Sequence, residues 1–355
     1  MRFTFTAKKF PSIKLDYLKT LTDDMGLLQH GKYSIPDRKS GYTTDDNARA
    51  LIVVLNHHNL LNDDESADLV GAYLEFLHYA QREDGKFHNL VDYRRDFLDE
   101  EGSEDSQGRA LWGCGCTLDA KIYHNVQKLA KELFEKSVTW SLDFKSFRAR
   151  AYTIFGLYHY YRKYPQQDIL EKMKFLLKPL EEVYQRESSK TQEWKWFEPY
   201  LTYDNARLSQ AFFCLYEVTK EKKYLQIGLE SLEFLSKLSF VDNKLVLIGQ
   251  EKWYQKDGKK SLYDQQPIDA AAMVELNFQA YRITKDKKYK EKAFVSFEWF
   301  LGRNIQNAVI YDEQAGACFD GLTPEGVNLN QGAESTVSYL LARLNIEEMI
   351  RNRKY

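Results

Sequence analysis

Two hydrophobic patterns alternate along the chain, and both have the spacing of helices. The first places apolar residues on one face and many Lys and Glu on the other, as in "EKKYLQIGLESLEFLSKL". Such segments lie at a protein surface. The second is poor in Lys and Glu and rich in small and apolar residues, as in "IDAAAMVELNFQAYR", which indicates burial on most sides. The surface segments are 13–22, 64–81, 121–140, 168–186, 221–238 and 287–301, and the buried segments are 46–57, 105–114, 148–162, 204–217, 268–282 and 334–345.

This alternation predicts an all-α protein of six helical hairpins, an (α/α)6 toroid with an inner and an outer ring of helices. No linker or change of composition divides residues 1–355, so we expect a single domain. Links from inner to outer segments are short, whereas links from outer to inner segments, such as 302–333, are long. Long irregular loops in compact domains are usually functional. We therefore expect the site at the end where the inner helices begin.

Acidic residues stand at the start of five of the six inner segments. They are Asp46, Asp105, Asp204, Asp269 and Glu334, and three of these segments carry an arginine one turn later: Arg49, Arg109 and Arg207. The third inner segment offers Arg148 and Arg150 instead. Each acid alone is typical of a helix N-cap. Together they would form a ring of like charges that is costly to assemble, which favours a functional cavity over simple capping.

Aromatic residues are frequent in the long loops, beside Asp, Gln and Arg. An aromatic face suits the apolar face of a sugar ring, and the polar side chains would bind its hydroxyl groups. The alternative is that these aromatics only pack their own loops. The candidates for substrate binding, including polar neighbours, are Asp45, Asp46, Arg49, His88, Arg109, Trp112, Trp194, Trp196, Tyr203, Arg207, Trp253 and Gln266.

Composition excludes several other classes. The net charge of −2 provides no general attraction for nucleic acid or an anionic membrane, and no apolar stretch approaches the length of a membrane span. The N-terminus lacks the apolar core of a signal peptide, so we expect a cytoplasmic protein. Four scattered cysteines and the absence of zinc, phosphate-loop or calcium motifs predict no metal and no cofactor. The oligomeric state stays open.

The pattern of six hairpins with acids at the inner-helix starts resembles the (α/α)6-toroid, or six-hairpin, glycosidase superfamily. "FLGRN" at 300–304 followed by "NQGAEST" at 330–336 resembles C-terminal segments of that superfamily, in which a similar turn precedes the helix with a catalytic acid. The strings "TDDNARAL", "GSEDSQGRALWG" and "DGLTPEGVNLNQGAEST" are similar to an uncharacterised bacterial branch found beside glycosyltransferases.

The resemblance implies an inverting glycoside hydrolase that acts on an oligosaccharide with two carboxyl groups. Such a pair consists of a general acid and a general base about 6.5–9.5 Å apart. An acid in aromatic surroundings has a raised pKa, which favours Asp105 or Glu104, near Trp112, with Glu334 as the competing choice. Asp204 or Asp269 would be the base.

Three alternatives use the same fold. A sugar epimerase needs paired histidines for proton transfer, and only His30 and His88 lie in the long loops. A uronate lyase needs a basic cleft, for which "DYRRD" at 92–96 is the candidate. A non-catalytic glycan-binding domain would explain the aromatics and arginines but not the acids.

Overall fold

A computed structural model describes residues 10–190 and 193–351. The inner helices are α2 (Thr44–Leu61), α4 (Glu104–Asp119), α6 (Phe147–Lys163), α8 (Ala206–Thr219), α10 (Pro267–Thr284) and α12 (Ala333–Arg351). The outer helices are α1 (Asp16–Leu21), α3 (Asp64–Ala80), α5 (His124–Ser141), α7 (Gln167–Lys190), α9 (Lys222–Ser239) and α11 (Lys287–Glu298). The predicted all-α (α/α)6 toroid is confirmed.

The inner helices form a closed ring. Each contacts the next in chain order, and α12 contacts α2, which closes the ring. Burial explains the division into two rings. In α10 almost every residue from Pro267 to Ala280 is buried, whereas in α5 the buried residues recur on one face only. An apolar helix surface on all sides needs neighbours on all sides, which only an inner position supplies.

All of the described strands lie in the long links between outer and inner helices, so the two ends of the toroid differ. They are antiparallel pairs of two or three residues: β1 (Gly31–Lys32) with β2 (Ile35–Pro36), β3 (Tyr42–Thr43) with β4 (Leu90–Val91), β5 (Tyr200–Leu201) with β8 (Tyr254–Gln255), β6 (Phe240–Val241) with β7 (Lys244–Leu245), β9 (Tyr311–Asp312) with β10 (Ala317–Cys318), and β11 (Gly321–Thr323) with β12 (Gly326–Asn328). We call this end the loop end. The opposite end has only short turns.

Helices α4 and α6 approach each other unusually closely, and glycines make this possible. A Cβ atom on Gly156 would lie 2.4 Å from the carbonyl oxygen of Leu111, and one on Gly115 would lie 2.4 Å from the carbonyl oxygen of Gly156. Two helix backbones can therefore touch only because these side chains are absent.

The predicted helix bounds differ from the structure at several positions, and most at α12, which continues to Arg351 rather than ending at 345. Helix α8 begins at Ala206 rather than at 204, because Asp204 has a positive φ of 47° that is incompatible with the helix. Helix α4 continues to Asp119, five residues beyond the predicted end at 114. Within the described ranges, no helix combines the length and the apolar character needed to cross a membrane.

Candidate functional site at the loop end

The N-caps of the first three inner helices are hydroxyl residues, not the acids. Thr43 accepts a hydrogen bond from the backbone N–H of Asp46, Ser103 from that of Ser106, and Ser146 from that of Ala149. Asp45, Asp46, Glu104 and Asp105 therefore lie inside the first turn, where capping does not explain them.

Arg49 joins three carboxylates at the boundary between α2 and α12. Its guanidinium contacts Asp45 through Nε (3.1 Å), Asp46 through Nη2 (2.7 Å) and Glu334 through Nη1 (3.0 Å). We call these four residues the Arg49 cluster. Asp46 is buried, whereas 24% of the Asp45 side chain and 41% of the Glu334 side chain are exposed. The cluster therefore combines one largely buried acid with two acids that are more exposed.

The two adjacent aspartates of this cluster have opposite pKa shifts. Burial raises the pKa of Asp46 to about 6, and the nearby negative charges of Asp45 and Glu334 add to the rise although Arg49 opposes it. Burial also acts against ionisation of Asp45, but the positive charges of Arg109 and Arg49 outweigh it and lower the pKa of Asp45. Near pH 6, one carboxyl of the pair holds a proton for part of the time while the other stays ionised.

Arg109 links the Arg49 cluster to residues on the opposite side of the ring. Its Nη1 lies 2.5 Å from both carboxyl oxygens of Asp45, and its Nη2 donates to the hydroxyl of Tyr152 at 2.9 Å. Tyr152 in turn donates to Asp204 at 2.6 Å. Sequence analysis did not single out Tyr152, because an aromatic within an apolar inner segment is typical of core.

Asp204 and Asp269 are also linked. The backbone N–H of Asp204 donates to Oδ1 of Asp269 at 2.6 Å, while Oδ2 of Asp269 is buried without a hydrogen-bond partner. Burial, together with the charge of Asp204, raises the pKa of Asp269 well above normal. Asp269 is therefore another acid of this end, besides Asp46, whose pKa is raised.

Arg207 lies next to Asp204 and connects it to two residues further along the inner helices. Its Nε contacts Asp204 at 3.1 Å, and its two Nη atoms bind Glu275 in a bidentate pair at 2.8 Å each. Its guanidinium also lies over the ring of Trp112, 4.9 Å from the centroid. Sequence analysis missed Glu275 because it lies two turns into α10, away from the helix start.

Asp105 and Glu104 have separate environments. Asp105 accepts hydrogen bonds from Tyr203 (2.6 Å) and Ser146 (2.9 Å). Glu104 accepts hydrogen bonds from the backbone N–H groups of Lys145 and Ser146, so it provides a partner for two backbone donors next to the start of α6. It lines a small cavity of about 220 Å³ between α4 and α5, away from the axis. Glu104 therefore lies apart from the ion-pair network around the axis, and its role as a catalytic acid stays a prediction.

Arg148 also stabilises the loop end through its contacts with loop residues. It donates to Glu198 at 3.1 and 3.3 Å and to the side chain of Asn205 at 3.1 Å, and it lies over the ring of Tyr203. Neither Glu198 nor Asn205 was singled out in the sequence. Both are buried loop residues, and nothing in their spacing shows that they face Arg148.

Two tryptophans that were expected to contact the substrate lie in the core. Trp196 has no exposed surface and Trp194 is buried, and both pack against Phe234. The expectation that these two tryptophans stack on a substrate is wrong, because core packing occupies them.

Three other candidates lie in the loops. The imidazole of His88 stacks on Phe97 with centroids 3.9 Å apart, and its Nδ1 lies 2.8 Å from the carbonyl oxygen of Asp99. Gln266 precedes α10 and accepts a hydrogen bond from Gln250. Trp253 is exposed and has a positive φ of 55°. A role of Trp253 and Gln266 in binding remains a prediction.

A large cavity lies at the other end of the ring axis. It has a volume of about 570 Å³ and is lined by the middle and C-terminal parts of the six inner helices. We call it the axial cavity. The sequence placed the main cavity at the helix starts, but ion pairs occupy much of that end. Of the acids and arginines at the helix starts, none lines the axial cavity.

No protein-family model matches the chain, and no curated protein matches it. Solved structures do match. A cellobiose 2-epimerase from Bacillus thermoamylovorans has a TM-score of 0.75 at 13% identity, covering 95% of this chain and 96% of that one. A D-mannose isomerase has a TM-score of 0.73 at 15% identity, covering 95% of each chain.

A third match is an inactive variant of an α-1,6-mannanase from Salegentibacter sp., solved in complex with α-1,6-mannotetrose. Its TM-score is 0.68 at 13% identity, covering 94% of this chain and 96% of that one. Identities this low establish the fold rather than the reaction. The chain thus has the (α/α)6-toroid fold that these sugar epimerases, isomerases and mannanases share.

Proposed function

We propose that this protein is a carbohydrate-active enzyme that hydrolyses a glycosidic bond in an oligosaccharide, with its catalytic centre in the Arg49 cluster. The observation that carries the proposal is the pair of adjacent carboxyl groups, Asp45 and Asp46, with opposite pKa shifts. Glycoside hydrolysis requires one protonated and one ionised carboxyl group. Pairs whose environments separate their pKa values are the usual source of that division.

The roles follow from protonation and access. Asp46 is the proton donor to the leaving oxygen, because it is the member that holds a proton near pH 6. Asp45 or Glu334 activates the attacking water, because both are more exposed than Asp46. One guanidinium binds all three carboxyl groups, so the bound oxygens lie no further apart than the roughly 9.5 Å limit of an inverting pair.

Two further observations support a hydrolase. The inactive mannanase variant carries alanine in place of two consecutive aspartates, and Asp45 and Asp46 are consecutive at the start of an inner helix. An epimerase would instead need a pair of available histidines. His88 is stacked on Phe97 and bonded within its own loop, so it is a poor candidate for proton transfer to a substrate.

The test is release of reducing sugar from α-1,6-mannotetraose, cellobiose and a panel of other oligosaccharides, with the product anomer identified by NMR. On the substrate that is cleaved, Asp46→Asn should lower the rate by about 10² to 10⁴, because an amide cannot donate the proton. Asp45→Asn and Glu334→Gln then show which ionised carboxyl group is the base.

The matched control is Glu325→Gln, which changes an exposed acid in the loop between β11 and β12. It should keep the full rate. Epimerised sugar without cleavage would contradict the proposal and favour an epimerase. Sugar binding without any conversion would favour a non-catalytic glycan-binding domain.

A further inference from the structure

The axial cavity at the short-turn end has the properties of a second ligand site. Its volume of about 570 Å³ falls within the range of small-molecule pockets, roughly 300–1,000 Å³. All six inner helices contribute to its wall, so its shape is fixed by the core of the protein rather than by loops. None of the residues proposed for hydrolysis lines it.

The charges in the wall nearly cancel and most are already paired. Asp119 binds His159 and Arg162, each at 3.0 Å. Glu217 accepts from Gln279 at 2.7 Å and lies 3.8 Å from Arg282. A cavity with little excess charge attracts neither strong anions nor strong cations, which favours a neutral ligand.

Uncharged polar groups and aromatic rings complete the wall. Trp112 and Phe155 meet edge to face, with centroids 5.0 Å apart, and Tyr158 carries a hydroxyl group into the same wall. The side-chain oxygen of Gln279 is buried without a hydrogen-bond partner. Since a buried acceptor is costly to leave unpaired, a ligand hydroxyl group that donates to Gln279 would be favoured.

We propose that the axial cavity binds a neutral polyhydroxylated molecule of monosaccharide or disaccharide size. Gln279 and Glu217 accept hydrogen bonds from its hydroxyl groups, and Phe155 contacts its apolar face. A purely apolar ligand would leave these acceptors unpaired, and a charged one would disturb the ion pairs of Asp119 and Glu217. The site does not depend on the proposed hydrolysis.

The cavity is connected to the loop end through Arg207. This guanidinium binds Asp204 on one side, and on the other side it contacts three residues that line the cavity: Glu275, Gln210 and Trp112. A ligand in the axial cavity therefore lies one residue away from the acid network at the loop end. Its binding should be detectable through Trp112.

The experiment is titration calorimetry and Trp fluorescence with D-glucose, D-mannose, cellobiose and myo-inositol, and with gluconate and glucosamine as charged comparators. At least one neutral probe should bind at least tenfold more tightly than either charged one. Gln279→Met should weaken that probe at least tenfold, and Trp112→Phe should remove the fluorescence response. Gln226→Met, an exposed glutamine on α9, is the matched control and should change neither.

The location of the bound ligand is tested by comparing variants at the loop end with variants in the axial cavity. Glu334→Gln should leave the measured affinity unchanged, because Glu334 lies at the loop end. If Gln279→Met does not fold, Tyr158→Phe tests the same wall and should also weaken binding. The proposal is overturned if no neutral probe binds at about 10 mM, tenfold weaker than a 1 mM ligand, if a charged probe binds more tightly, or if Glu334→Gln abolishes binding while Gln279→Met does not. Failure of hydrolysis alone would leave these binding results unaffected.

Discussion

Arg49 is a buried cation that neutralises three acids from two helices, so its removal should be far more damaging than that of an ordinary surface arginine. Arg49→Met leaves Asp46 and Glu334 without their guanidinium partner. Breaking a buried ion pair from one side costs about 3–5 kcal/mol. Urea unfolding should show a loss of this size in the free energy of unfolding.

The control is Arg186→Met on α7, whose side chain is 62% exposed and which contacts Glu187. An exposed pair contributes less than about 1 kcal/mol. If both variants lose the same small amount, Arg49 does not hold the cluster together.

The raised pKa of Asp46 sets the direction of the pH dependence of activity. A general acid must carry its proton, so kcat/KM should fall as pH rises above about 6. The lowered pKa of Asp45 keeps that group ionised well into the acidic range, so the acidic limb should lie far below pH 6. An alkaline limb at pH 8 or higher would contradict the assignment of Asp46.

The same shift has a consequence for stability. The folded state holds the Asp46 proton more tightly than the unfolded chain, whose aspartate pKa is about 3.8. The free energy of unfolding should therefore fall as pH rises from about 4 to about 6, by roughly 3 kcal/mol. Asp46→Asn lacks this titration, so its free energy of unfolding should be compared with that of the natural protein at several pH values between about 4 and about 6. If the difference between the two free energies does not change with pH, the pKa of Asp46 is normal.

At the scale of elements, the contact between α4 and α6 depends on missing side chains. Gly156→Ala would place a Cβ 2.4 Å from a carbonyl oxygen of α4, so the two helices must separate. Overpacking of this kind costs about 1–3 kcal/mol, and thermal unfolding should show it as a lower midpoint.

Gly71→Ala on the outer helix α3 is the matched control, since nothing lies within 4 Å of its added Cβ. Ala is about 1 kcal/mol better than Gly in a helix interior. This variant should therefore be more stable than the natural protein. Equal destabilisation of both variants would show that helix spacing is not the cause.

The elements were predictable from the sequence because inner and outer burial leave different local patterns. Helix position in the ring follows from chain order alone. The partners of the charged side chains were not predictable, because they depend on the rotation of each helix about its axis. Arg109 meets Asp45 and Arg207 meets Glu275 across helices, at sequence separations of 64 and 68 residues. Glu104 and Asp105 are adjacent in sequence, yet Glu104 accepts a hydrogen bond from the backbone next to the start of α6 and faces away from the axis.

At the scale of the whole molecule, α12 completes the ring by packing between α10 and α2. Deletion of 333–351 should leave the apolar faces of both neighbours exposed and remove the cooperative unfolding transition seen by near-ultraviolet circular dichroism. Addition of the peptide 333–351 should restore the spectrum, because the missing contacts lie in this helix. A truncated protein that still unfolds in one sharp transition would contradict a closed cooperative ring.

Ring closure also has a consequence for biosynthesis. Among the inner helices α2 is made first, and its neighbour α12 is made some 289 residues later, which takes roughly 15–60 s at 5–20 residues per second. The contacts of Tyr17 with Gln331 and of Arg343 with Pro11 join the same two ends of the chain. Throughout that interval the growing chain presents an apolar surface that α12 will cover. Nascent chains should therefore depend on chaperones until α12 has been made.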